Sequence, residues 1–213
     1  MVLAGADLEK AATAIVAAAF GQAGQRCTAT SRVLADRAVH DDLLALLRAK
    51  VAGLRTGPLV SRAHRDSVLA HLARAVEQGA RVETGGAEVP GPGCHLEPAV
   101  LTGVTRDMDV WREEVFGPVL VVCPVDGLDE AIAAVNDTRF GLAAAVFTDS
   151  LAAAHRFLAE VDCGQVAVNT TTSGWDVHQP FGGFRDSGSA FKEQGAEAMR
   201  FYTKVKTFAV HFG

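Results

Sequence analysis

The clearest periodicity in the chain lies near its start, where Leu8, Ala11, Ala12, Ile15, Val16 and Ala19 recur at helical spacing and form one apolar face. Asp7 stands where an N-cap is needed, and Gly21 and Gly24 close the run, so a helix is predicted over residues 8–22. After a polar stretch over 24–31, Arg32-Val33-Leu34-Ala35 reads as a short strand. Two amphipathic helices follow at 41–54 and 61–78, separated by Gly57-Pro58. From Ala80 the apolar runs shorten to β-type segments at 81–83, 99–101 and 118–125, with a Gly/Pro-rich loop at 90–93. A helix at 128–135, a buried strand at 143–147, a helix at 151–160 and a strand at 165–168 complete the regular part. A glycine-rich loop (180–188), a short helical stretch (192–199) and a terminal β-type run (204–212) end the chain.

Alternation of helices with short, wholly apolar strands predicts an α/β fold with a parallel sheet and crossover helices, as one domain over residues 1–213. The last run reads as an edge strand, and such edges are usually covered or paired with another subunit. With 213 residues, 49% of them hydrophobic, the chain can bury a substantial core.

The net charge of −5 is spread along the length without a basic block, which argues against a nucleic-acid partner. No apolar run approaches the roughly 18 residues that span a bilayer, and the first residues lack the form of a signal peptide. The expected setting is therefore cytosolic, with no membrane partner. Cys27, Cys94, Cys123 and Cys163 are far apart and show no zinc-type spacing, so neither a metal site nor a disulfide framework is expected.

Cys27 is the one cysteine in a polar, glycine-flanked loop between a helix and a strand, where a side chain can project into a cleft. Arg26 or a helix end could activate its thiol; equally, a lone cysteine can be an inert small hydrophobe. The segment Phe20-Gly21-Gln22-Ala23-Gly24-Gln25-Arg26-Cys27-Thr28-Ala29 resembles the active-site cysteine signature of the aldehyde dehydrogenase superfamily. Three further segments match that family in order: Glu113-Glu114-Val115-Phe116-Gly117-Pro118, Asn136-Asp137-Thr138-Arg139-Phe140-Gly141-Leu142, and Pro180-Phe181-Gly182-Gly183 with Ser187-Gly188. The resemblance spans almost the whole chain and implies the family's α/β catalytic domain. It is closest in wording to the α-ketoglutaric semialdehyde dehydrogenase branch.

By that resemblance Cys27 attacks an aldehyde, giving a thiohemiacetal, a thioester after hydride loss to NAD or NADP, and then a carboxylic acid. The Cys27 amide N–H is expected to help hold the developing oxyanion. The resemblance gives Glu114 a bond to the nicotinamide ribose and Phe116 a place at the nicotinamide ring, where the residue-level reading is an ordinary acid and aromatic before a strand. Asn169 matches an asparagine that supports the cysteine loop. Trp175, His178 and Phe181 fall where the family reads its substrate, although His178 and Phe181 could equally serve to anchor their loop. His64 and His71 read as exposed helix residues.

The family's subunit is more than twice as long, and the resemblance places this chain as its C-terminal half. The water-activating glutamate, the oxyanion-hole asparagine and the dinucleotide-binding fold belong to the other part, and no GxGxxG loop occurs here. The linker 54–59 is also shorter than the family's usual loop. Three functions follow as expectations. The first is aldehyde oxidation, as a homo-oligomer or with a complementary cofactor-domain chain. The second is a non-catalytic assembly or interaction module, and the third a cofactor-independent thiol activity such as ester hydrolysis.

Overall fold

The computed structural model describes residues 1–189 and 191–213. Helix α1 (Leu8–Phe20) begins where the Asp7 carboxylate accepts from the Lys10 N–H at 3.0 Å. Strand β1 (Arg32–Asp36), α2 (His40–Val51) and α3 (Arg62–Glu77) follow, the last capped by Ser61. Next come β2 (Arg81–Thr84), β3 (Ala99–Thr102), a one-turn α4 (Asp109–Arg112) and β4 (Val119–Val125). The C-terminal part carries α5 (Gly127–Asn136), the two-residue β5 (Phe140–Gly141), β6 (Ala143–Val146), α6 (Leu151–Glu160) and β7 (Gln165–Val168). The two-residue β8 (Phe184–Arg185) and α7 (Ala198–Tyr202) end the sequence of elements.

The main sheet has the order β1-β4-β3-β2, with β1, β4 and β3 parallel and β2 antiparallel at the edge. Strands β6 and β7 form a second parallel pair. Val2 joins the two by bridging Ala35 of β1 and Phe147 just after β6, both in parallel sense. The predicted parallel α/β architecture is therefore present. It arises because β4 is apolar on both faces: Leu120 and Val122 pack towards α1 and α2 with Val33, Ile15 and Leu43, while Val121 and Cys123 face α3 and α5 with Leu34, Val68 and Trp111. Each such fully buried side chain contributes about 1.5–3 kcal/mol relative to exposure.

Two features depart from the sequence reading. The terminal run 204–212 forms no strand: among the described residues it has no ladder partner, and Val205, Phe208 and Phe212 are 99%, 78% and 94% exposed. Its alternation supplies one side of a ladder, but among the described residues no strand lies beside it to supply the other. The helical stretch expected at 192–199 is a 3₁₀ turn at Gly195–Glu197 leading into α7.

Candidate active site

The loop bearing Cys27 is set by the end of α1. After Phe20 the backbone turns through left-handed Gln22, Ala23 and Gly24, with φ of 53°, 57° and 70°. At Gly24 only glycine fits, because a Cβ there would lie 2.1 Å from the Gly117 carbonyl oxygen. That contact presses the cysteine loop against the segment 113–118. Gln25 adds a second tether: its amide accepts from the Val60 N–H at 2.9 Å and donates to the Pro58 carbonyl at 3.2 Å. The short linker between α2 and α3 is thus bonded to the cysteine loop.

Cys27 is the exposed one of the four cysteines. Among the described residues, neither its amide nor that of Thr28 donates to a protein acceptor, so two adjacent N–H groups stand free beside the thiol. Cys27 shares a cleft of about 290 Å³ with Glu114, Phe116, Phe140 and Ser187. Residues of all four sequence segments therefore line one cavity. Glu114 is exposed overall, but partial enclosure of its carboxyl raises its pKa above the ordinary carboxylate range, with Arg139 pulling it back. Phe116 adopts φ 54°, a conformation costing a bulky residue roughly 1–2 kcal/mol. His64 holds it there: its Nε2 donates to the Phe116 carbonyl at 2.8 Å, and the rings meet edge-on with centroids 6.4 Å apart.

Arg139 gathers the segments at the rim, donating to Glu113 at 2.8 Å and lying 3.5 Å from Asp186. The Gly141 N–H donates to the Ser187 hydroxyl at 3.1 Å. In the cleft wall, Arg32 is half-buried with its guanidinium 4.7 Å over Trp111. Burial lowers its pKa, and its buried Nη1 has no hydrogen-bond partner. Cys163 also lines the cleft, but burial pushes its thiol up to about 11, with Arg185 and Arg32 opposing. It stays protonated at neutral pH, whereas the Cys27 thiol is open to solvent.

Asn169 does not reach the cysteine loop. Its amide pairs twice with the Thr148 backbone, at 2.9 Å each, and its φ of 54° turns the chain out of β7. The link to the cysteine loop comes three residues later, where the Thr172 hydroxyl donates to the Thr28 carbonyl at 2.7 Å and meets the Thr30 hydroxyl at 2.9 Å. Trp175 spends its indole N–H on the Thr172 carbonyl at 2.9 Å, His178 is exposed and Phe181 is half-buried; none of the three lines the Cys27 cleft. The structure thus brings Cys27, Glu114 and Phe116 together and leaves Trp175, His178 and Phe181 outside. Nor are His64 and His71 simple exposed helix residues: both are half-buried, and the His71 Nδ1 is buried without a partner.

Gln25, Arg32, Arg139 and Thr172 were not singled out from sequence, and His64 was read there only as an exposed helix residue. For Gln25 and Arg139 a signal existed, since both stand inside the matched segments. Thr172 and His64 act across 144 and 52 residues of chain, respectively.

Residues 1–208 match the aldehyde dehydrogenase family. The chain belongs to that family. It is 34% identical over 219 residues to an α-ketoglutaric semialdehyde dehydrogenase of Bacillus subtilis, covering 96% of this chain and 45% of that protein. A betaine aldehyde dehydrogenase of Cereibacter sphaeroides is 39% identical over 218 residues, covering 98% and 45%. Among solved structures, the NAD+ complex of an aldehyde dehydrogenase from Bacillus cereus superimposes with a TM-score of 0.93 at 32% identity, covering 96% of this chain and 44% of that one. As an aldehyde dehydrogenase family member, the chain spans less than half the length of the curated relatives it matches. Among the described residues no helix is long and apolar enough to cross a membrane.

Proposed function

We propose that this chain is the catalytic-cysteine part of an NAD(P)-dependent aldehyde dehydrogenase, with Cys27 as the nucleophile and the rest of the dinucleotide site supplied by further polypeptide. The observation that carries the reading is the exposed Cys27 thiol, flanked by two free amide N–H groups, on a cleft shared with Glu114 and Phe116. In the first step the Cys27 thiolate forms a C–S bond to the aldehyde carbon, and the carbonyl π electrons move to oxygen. The Cys27 and Thr28 amides are placed to hold that oxyanion, the kind of fixed-dipole stabilisation that dominates acyl chemistry. Loss of hydride leaves a thioester on Cys27, and water cleaves it to the acid and the free thiol.

The cleft fits only one end of a dinucleotide. Glu114 offers a carboxylate for ribose hydroxyls and Phe116 an aromatic face for the nicotinamide, but among the described residues no glycine-rich strand-to-helix turn is present to cradle the phosphates. When bound, NAD or NADP supplies the hydride acceptor. For the aldehyde, the relatives named for α-ketoglutaric semialdehyde and the Arg26 side chain on the cleft wall favour a substrate carrying a carboxylate. The loop with Trp175, His178 and Phe181 would act on substrate only if it closes over the cleft. The exposed run 204–212 is the natural candidate for pairing with another subunit.

The test mixes this chain with candidate dinucleotide-binding chains, then follows reduced nicotinamide absorbance with α-ketoglutaric semialdehyde and betaine aldehyde as substrates. Turnover lost in Cys27→Ser supports the reading, and a preference for the anionic aldehyde supports the substrate class. No rate with any pairing, or a rate that survives Cys27→Ser, overturns the assignment of Cys27.

A further inference from the structure

A cavity of about 690 Å³ lies between the linker that leaves α2 and the arm over residues 85–98 that joins β2 to β3. It is more than twice as large as the Cys27 cleft and shares no lining residue with it. Pockets of roughly 300–1,000 Å³ are the usual size for small organic ligands.

The walls are held by bonds of their own. Within the arm, the Gly86 N–H donates to the Glu97 carbonyl at 3.1 Å, the Glu97 N–H to Ala87 at 2.9 Å and the Val89 N–H to His95 at 3.1 Å. Two bonds fasten the arm to the linker: the Leu59 N–H donates to the Cys94 carbonyl at 2.8 Å, and His95 Nδ1 donates to the Thr56 carbonyl at 3.3 Å. Pro90, Pro92 and Pro98 line the cavity with φ fixed by their rings, so the arm has little freedom to lose when a ligand enters.

The lining is apolar at Val51, Leu54, Val89 and Leu96, and rich in donors at one place, Arg55-Thr56. The Thr56 Oγ1 is buried without a hydrogen-bond partner, which costs about 1–3 kcal/mol unless something enters to meet it. Among the described residues, the Arg55 and Thr56 N–H groups donate to no protein acceptor, and the exposed Arg55 guanidinium pairs with no carboxylate. Two adjacent residues thus present a hydroxyl, two amides and a cation. Glu97 is the one acid of the lining and stands on the arm, so an anionic group is repelled from that side and favoured on the linker.

We propose that this cavity is a second binding site, for an organic anion whose oxyanion head sits on Arg55 and Thr56 and whose apolar body lies against Pro90, Pro92 and Leu96. The site stands apart from the aldehyde reaction, and its existence does not depend on what Cys27 does.

The probes are 1-naphthyl phosphate and 1-naphthylacetate, compared with 1-naphthol, which lacks the head, and inorganic phosphate, which lacks the body. Amide NMR shifts of the whole chain are followed in titration. At least one naphthyl anion should shift Arg55 and Thr56 saturably with Kd below about 1 mM, and naphthol and phosphate should each bind about tenfold more weakly. Arg55→Gln, at an exposed position, should weaken that anion by about tenfold. Thr56→Val should weaken it severalfold while leaving the urea midpoint unchanged or raised, a combination that a purely structural hydroxyl would not give. Cys27→Ala should bind as the wild type does, which separates the site from the chemistry of the thiol. No saturable shift at Arg55 and Thr56, binding that survives Arg55→Gln unchanged, or equal affinity for naphthol or for inorganic phosphate overturns the proposal.

Discussion

Replacing Gly24 by alanine tests the contact that holds the cysteine loop against the segment bearing Glu114 and Phe116. Two costs are expected at this position. Its φ of +70° is a left-handed conformation that costs a residue with a Cβ roughly 1–2 kcal/mol. In addition, the new Cβ would stand 2.1 Å from the Gly117 oxygen and 2.6 Å from its carbon, so two backbone segments must separate; overpacking of that kind costs about 1–3 kcal/mol. Gly53 provides the control, having φ of +74° and nothing within 4 Å of the same built Cβ. Gly53→Ala should therefore lose only the conformational part, and Gly24→Ala should lose about 1–3 kcal/mol more. Urea denaturation with unchanged slope measures both. Gly24→Ala should also change the iodoacetamide labelling rate of Cys27, which Gly53→Ala should leave alone. Equal stability losses for the two variants would refute the claim that Gly24 is set by close approach to Gly117.

Thr172→Val keeps the shape of the side chain but removes its bonds to Thr28 and Thr30; it should cost roughly 1–3 kcal/mol and speed hydrogen exchange across residues 27–30, and unchanged exchange there would mean the loop is held by other contacts. Burial pushes the Cys123 thiol up from 9.0 to about 11, with Arg32 and Arg106 opposing. The unfolded chain therefore loses that proton first as pH rises, so the contribution is complete below pH ~9 and disappears by ~11, up to roughly 3 kcal/mol. The difference between wild type and Cys123→Ala, followed by denaturation across this range, should shrink accordingly; a difference that stays constant with pH would show that the thiol is not shielded in the folded state.

What the sequence discloses about this fold follows from how local each signal is. Strand β4 is readable because its seven residues are apolar or nearly so on both faces, which only a strand between two helix layers requires. Helix α3 is readable because Ser61 caps it and Val68, Leu72 and Ala75 repeat at helical spacing. The one-turn α4 has too few residues to show a period, so Trp111 stands in the core without any pattern to announce it. Of the candidate site, the residues Cys27, Glu114 and Phe116 were legible through the segments that contain them, but not their common cleft.

The same limit explains Asn169 and the terminal run. An asparagine after a strand says that an amide will bond nearby backbone; whether that backbone belongs to Thr148 or to the cysteine loop depends on which strand lies alongside β7, and that is decided by the Val146 carbonyl at 2.7 Å from the Asn169 N–H. Residues 204–212 alternate like a strand because alternation records the environment on two faces, not the identity of the neighbour. Pairing needs an edge with the right spacing of donors and acceptors. Among the described residues the exposed apolar tail meets no such edge, so its alternation goes unused in a ladder.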